Sequence, residues 1–204
     1  MTLDEYADHG DVESSKSLVL TDSDYVDCAD FLGIEIGVIK AVAEVESRGR
    51  GFFPDDTPKT LFEGHVFHRL TSGIYAADNP DLSYPRWTKI YYGKTWQAEK
   101  IRFNRAKVLD SDAAMMSTSW GKFQIMGFNF KACGYNSVLE FVKAMFRSEG
   151  EQLAAFSRFI KNNPHMQNAL QERDWLSFAS AYNGTGQITY YAGLLQTAFE
   201  RNTK

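Results

Sequence analysis

The residues best suited to chemistry in this 204-residue chain are a carboxylate near one helix end, a glutamine among large apolar neighbours, and a tyrosine–asparagine pair close to the C-terminus. The carboxylate is Glu46, last residue of Ile34-Glu-Ile-Gly-Val-Ile-Lys-Ala-Val-Ala-Glu-Val-Glu46. Ile39, Val42 and Glu46 follow a three-to-four spacing and share one face of the predicted helix. Ile39 and Val42 make that face apolar. Glu44 instead aligns with Lys40 and Ala41 on the solvated side. A carboxylate on a buried stripe is costly unless it is paired or protonated. Desolvation raises its pKa, and the negative end of the helix pushes the same way, which suits a proton donor near neutral pH. The competing reading is that Glu46 emerges at the helix end and pairs with Arg48 or Arg50.

The glutamine lies in Ser119-Trp-Gly-Lys-Phe-Gln-Ile-Met126. Gln124 offers an amide donor and an acceptor, which match the hydroxyl and acetamido groups of a sugar. Alternatively, the segment is a core helix whose glutamine is satisfied internally. The third segment is Phe178-Ala-Ser-Ala-Tyr-Asn-Gly-Thr-Gly186. Here Asn183 and Gly184 can take the positive φ of a helix C-terminal cap, with Tyr182 in the core, or Tyr182 and Asn183 can face a ligand.

Taken in order, Glu46-Ser47, Gly-x-Phe-Gln-Ile and Ala-Tyr-Asn-Gly resemble the motifs of the lysozyme-like superfamily, especially goose-type lysozymes and lytic transglycosylases. The chain is more similar still to the N-acetylmuramidase domain of bacteriophage endolysins. That resemblance runs through Ala41–Ser47, Lys59–Phe67, Ser119–Phe128 and Ala181–Gly184, and so covers the chain from about Thr21 onward. Lys122 departs from the pattern, since the wider superfamily usually has Leu there, and the turn at Asp55-Asp56 is unusually acidic. The resemblance implies Glu46 as the catalytic acid, with Gln124, Tyr182 and Asn183 at substrate-cleft positions; Ser47, Trp120 and Met126, within the same motifs, are expected to bind substrate beside them. It implies cleavage of the β-1,4 bond between N-acetylmuramic acid and N-acetylglucosamine in peptidoglycan, without metal or cofactor. Glu63, after a short strand and at a helix start that keeps its pKa low, is the expected second carboxylate. Its bland alternative is a helix cap, or an ion pair with His65 or Arg69. Asp55 and Asp56 are lesser candidates. A carboxyl separation of roughly 6.5–9.5 Å would mean inversion and roughly 5–5.5 Å retention.

The elements that must position these groups follow from local signals. Thr21 and Asp24 open a helix that ends at Gly33, and a second helix runs from about Glu35 to Ser47. Pro54–Pro58 reads as a turn and Lys59–Phe62 as a strand, one arm of a small hairpin. Helices are expected over His65–Leu70, Thr95–Leu109, Asp112–Thr118, Ser137–Arg147, Glu149–Lys161, Pro164–Gln171, Asp174–Tyr182 and Gln187–Arg201. Thr71–Gly93, broken by Pro80 and Pro85, is a long loop expected to form one rim of the groove. The fold class is therefore mainly α (α+β): a lysozyme-like helical domain over residues 21–204 with a small β-hairpin beside the cleft. Residues 1–20 form a loose polar arm.

Composition limits the alternatives. Hydrophobic residues make up 44% and charged residues 24%, ordinary for a globular protein. A net charge of −4 gives no support to broad contact with nucleic acid or anionic membranes. No run is long enough to span a bilayer, and the acidic start has no secretory pattern. Cys28 and Cys133 read as buried thiols, and the His65/His68 pair lacks a third metal ligand. The expected partner is the peptidoglycan glycan strand, met by a monomer that accumulates in the host cytoplasm and, as the resemblance implies, reaches the wall through a holin. The alternatives are a lytic transglycosylase, which needs no second carboxylate, and a non-catalytic wall-binding or virion module.

Overall fold

The structure, a computed structural model, describes residues 18–47, 49–184 and 186–204; the side chains of Ser47 and Asn183 fall outside that description. Most of the expected polar arm therefore lies outside the described residues. Its last three do not hang loose. Glu149 N–H donates to the Leu18 carbonyl at 2.9 Å, and Leu20 N–H donates to Glu149 Oε2 at 3.3 Å.

Two helices lead into the site. α1 (Asp22–Leu32) starts with Thr21 and Asp24 in a reciprocal capping box and stops at Gly33, whose φ of 66° suits a residue without a side chain. α2 (Ile36–Ser47) is the central helix. Val38, Ile39, Ala41, Val42 and Ala43 are all buried, leaving Lys40 and Glu44 to reach outward. Glu44 is indeed on the solvated side, where it is bound by Arg201 and Asn202. These partners belong to the last helix, α10 (Ile188–Asn202), which packs along α2.

After α2 the chain makes a narrow loop in which Phe52 bridges Pro58 and Phe53 N–H donates to the Thr57 carbonyl at 2.8 Å. β1 (Thr60–Phe62) follows, but its strand partner is not local. It pairs antiparallel with β2 (Thr118–Trp120), which pairs in turn with β3 (Ile125–Met126), giving a three-stranded sheet in the order β1-β2-β3. The expected hairpin arm is thus an edge strand of a sheet closed from 58 residues downstream. The hairpin proper is β2–β3, in a segment where a core helix was the alternative. Its turn needs two left-handed residues, Gly121 (φ 69°) and Gln124 (φ 48°).

α3 (Gly64–Leu70), α4 (Trp96–Leu109) and α5 (Ser111–Met116) surround the sheet. α6 (Val138–Arg147), α7 (Glu149–Lys161), α8 (Pro164–Gln171), α9 (Trp175–Asn183) and α10 (Ile188–Asn202) complete ten α-helices among the described residues. Their starts match the sequence signals closely, with Ser137, Ser148, Asn163 and Asp174 all capping by side chain. The architecture is mainly helical with one small sheet, as expected. A continuous core joins Leu32, Ile39, Val42, Phe67, Phe103, Phe141, Phe156 and Phe178. No helix among the described residues is long and apolar enough to cross a membrane.

The 71–93 segment carries turns and no strand or helix. It does not form a rim of the groove described below. It folds onto α4 and α3 instead: Leu82, Ser83 and Tyr84 are buried, Asp81 pairs with Arg105, and Tyr75 Oη donates to the Leu109 carbonyl at 2.8 Å. Leu82 enters the core with Tyr75 packed against it, whereas Ile74, Trp87 and Ile90 stay exposed, so a few anchors hold this long loop without hydrogen-bonded strands.

Candidate active site

Glu46 sits in the last turn of α2, half-buried, where the helix meets the β2–β3 turn. It lines two adjoining chambers. The larger, about 410 Å³, is walled by Val45, Phe53, Lys59, Thr60, Lys122 and Tyr191 among others. The smaller, about 230 Å³, is walled by Phe123, Ile125, Met126, Asn129, Phe159 and Tyr182 among others. Glu46 and Gln124 are common to both, so they mark the waist of one groove. Among the described lining residues Glu46 is the sole carboxylate.

Gln124 is exposed and its amide is fixed from three sides. Nε2 donates to the Gly121 carbonyl at 2.8 Å and to the Lys59 carbonyl at 3.3 Å, while Oε1 accepts from Ser119 Oγ at 2.9 Å. A non-glycine residue at positive φ costs of order 1 kcal/mol or more and persists only where surrounding contacts impose it. Here the three hydrogen bonds do so, and they hold the turn against β1.

Tyr182 comes to the groove from α9. Its ring stacks on Phe178 at 5.5 Å, and its hydroxyl donates to the Phe123 carbonyl at 2.8 Å. The phenol is pushed well above its ordinary value, first by burial and then by the Glu46 charge nearby. Tyr182 therefore stays a neutral donor and ties α9 to the turn carrying Gln124. Met126, half-buried on β3, lines the smaller chamber.

Two expected site residues are placed elsewhere. Trp120 is a correction: it is 1% exposed, its indole N–H donates to the Met115 carbonyl at 3.0 Å, and its ring meets Phe103 edge-on at 5.4 Å. It faces the core side of β2 because strand neighbours alternate, and it supports the sheet from behind. Glu63 lines neither chamber. It caps α3 by position only, without a side-chain cap bond, and its two oxygens accept from Tyr92 Oη at 2.8 and 2.7 Å. His65 Nδ1 lies 3.3 Å from Glu63 Oε2, so the anticipated His65 partnership is present; Arg69 is exposed. Ser47 and Asn183 occupy the ends of α2 and α9, beside Glu46 and Tyr182 in sequence, and their side chains lie outside the described residues. Asp55, on the turn after Phe53, is held by Thr57 and Lys100 and is not among the lining residues.

Sequence reasoning missed Phe53, Lys59 and Tyr191 in the larger chamber and Asn129 and Phe159 in the smaller. Phe53 could have been suspected as an apolar residue beside a turn; it stacks on Trp96 at 4.9 Å, which docks that turn on α4. Tyr191 and Phe159 reach the groove from helices distant in sequence and carry no local signal. A separate cavity of about 230 Å³ lies between α1 and α7, lined by Asp24, Asp27 and Arg158, and shares no residue with the groove. The thiols of Cys28 and Cys133 are buried and pushed up to about 12, which leaves them protonated and unreactive.

Comparison with known proteins bears on the fold and the family. The crystal structure of the Burkholderia AP3 phage endolysin superposes with a TM-score of 0.86 at 39% identity, covering 92% of this chain and 73% of that one. No curated protein sequence matches. The family model described as N-acetylmuramidase matches residues 35–203, from just before α2 to the end of α10, and so takes in Glu46, the three-stranded sheet and Tyr182 alike. The chain belongs to the N-acetylmuramidase family and is a peptidoglycan hydrolase.

Proposed function

We propose that the chain is a muramidase of the phage-endolysin kind, cutting the β-1,4 bond between N-acetylmuramic acid and N-acetylglucosamine with Glu46 as general acid. The observation that carries this reading is the position of Glu46: the one carboxylate among the described lining residues, at the waist of a groove walled by aromatic rings together with polar side chains. In the reaction Glu46 gives its proton to the bridging oxygen as the bond from C1 of the muramic sugar breaks. The oxocarbenium-like centre left on that sugar is then captured by water. Gln124, with its amide held rigid, and Tyr182, holding the turn that bears it, orient the strand so that the bridging oxygen meets Glu46. Release of the enzyme from the host cytoplasm to the wall through a holin belongs to the same proposal, and the likeness to a phage endolysin supports it.

A second reading is favoured by the same lining. With Glu63 turned toward Tyr92 and His65, no second carboxylate is supplied to the groove by the described residues. A lytic transglycosylase manages with one acid, because the 6-hydroxyl of the muramic sugar attacks its own C1. End-group analysis of digested, purified peptidoglycan separates the two. Hydrolysis leaves reducible N-acetylmuramic acid ends, the expected result, whereas 1,6-anhydro ends would replace the first reading by the second. Binding without any new ends would remove both.

A further inference from the structure

The chain that follows Glu46 is held by a buried ion pair. Lys122, on the β2–β3 turn, places Nζ 3.1 Å from Oε2 of Glu149, the first residue of α7; their side chains are 10% and 2% exposed. Each partner also grips the backbone just past α2. Lys122 Nζ donates to the Gly49 carbonyl at 2.7 Å, and Glu149 Oε1 accepts from Gly51 N–H. Lys122 N–H donates to Gln152 Oε1 at 2.6 Å, and Gly51 lies so close that a Cβ there would fall 2.3 Å from the same oxygen. A side chain at position 51 would therefore displace the Gln152 amide from Lys122 N–H.

A buried ion pair is poor value as a stabiliser, because well-packed apolar residues of similar volume hold a fold at least as well. What an apolar pair cannot do is direct hydrogen bonds at a chosen carbonyl and N–H. Those two backbone groups lie three and five residues beyond Glu46, and Lys122 lines the same chamber as Glu46. We propose that Lys122 and Glu149 are positioning residues for catalysis: together they clamp Gly49 and Gly51, and through them fix the last turn of α2 and the Glu46 carboxyl. Lys122 acts through the backbone and need not touch the reacting atoms. The proposal rests on the reading of Glu46 as the acid.

The test uses the full chain, with kcat and KM measured on soluble peptidoglycan fragments and melting temperature measured alongside. Lys122→Met should lower kcat on the order of 10- to 100-fold with KM changed less than about twofold, as expected when an acid is displaced by a fraction of an ångström. Lys122→Arg, which keeps the charge and the donors, should recover most of that loss. The double variant Lys122→Met/Glu149→Leu should regain melting temperature but not kcat. Recovery of both in the double variant would show that the pair only supports the fold and would overturn the proposal. So would a Lys122→Arg variant no faster than Lys122→Met, a comparison that stands even if the double variant does not fold. Glu46→Gln is assayed in parallel. If it is inactive while Lys122→Met turns over like wild type, the clamp alone fails; if Glu46→Gln is fully active, the acid assignment and the clamp fail together.

Discussion

Glu46 and Glu63 stand at opposite kinds of helix end, one in the last turn of α2 and the other just before α3, and their surroundings differ in what fills the space in front of them. Before Glu46 lies open groove, walled by Phe53, Phe123, Met126 and Tyr182. Before Glu63 lies protein: the Tyr92 hydroxyl bridges both its oxygens and His65 sits against one of them. Behind Tyr92, the Arg102 guanidinium packs over the rings of Phe62 and Tyr92 and makes two bonds to Glu99, at 3.0 and 2.8 Å. Burial and the Glu63 charge push the Tyr92 phenol far up, so it remains a donor at every accessible pH. One carboxylate thus lines a groove, and the other is enclosed by its own protein. The place of a carboxylate on a helix therefore says less about its surroundings than do the neighbours that distant parts of the chain bring to it.

Substitutions should separate the two regions by what they damage. The largest effect is expected for Glu46→Gln, which should lower clearing of purified sacculi by about 10²- to 10⁴-fold while the melting temperature stays within a few degrees of wild type. In the other region Arg102→Met leaves Glu99 buried without its cation and should cost about 3–5 kcal/mol in denaturant unfolding. The turnover of the folded fraction should be unchanged, and a strong loss would join the two regions functionally. Glu63→Ala should cost about 1–3 kcal/mol by stripping Tyr92 of its acceptor, again with turnover within a few-fold. A collapse of turnover at constant stability would restore Glu63 as the second carboxylate. Smallest is Tyr182→Phe, which removes one hydrogen bond to Phe123 and should cost about 0.5–1.5 kcal/mol by the same measurement. A much larger loss would mean that the hydroxyl does more than tie α9 to the turn.

Much of this arrangement was legible in the chain because it depends on local spacing. Thr21 with Asp24, Ser137, Pro164 and Gly33 mark helix ends through bonds made within a few residues. The placement of Glu46 beside the buried face of α2, and of Glu44 on the outer side, follows from helix period alone. The parts that were not legible depend on distant partners. β1 finds its pair in Thr118–Trp120, and strands of two or three residues are too short for alternation to declare which face is buried. Trp120 was accordingly counted among the substrate-binding residues, though it lies in the core. The surroundings of Glu63 were not legible for the same reason, since its neighbour Tyr92 comes from a loop whose path no local rule predicts. The left-handed turn at Gln124 is imposed by hydrogen bonds to Gly121, Lys59 and Ser119, which exist only once the sheet has closed.

The central claim is that the proton comes from Glu46 and not from any other carboxylate. Its most direct test is the release of new sugar ends from purified peptidoglycan by Glu46→Gln and Glu63→Gln proteins, compared at equal folded concentration with wild type. The account predicts residual release below a few per cent for Glu46→Gln and release within a few-fold of wild type for Glu63→Gln. The reverse pattern, or substantial release by Glu46→Gln, would contradict it.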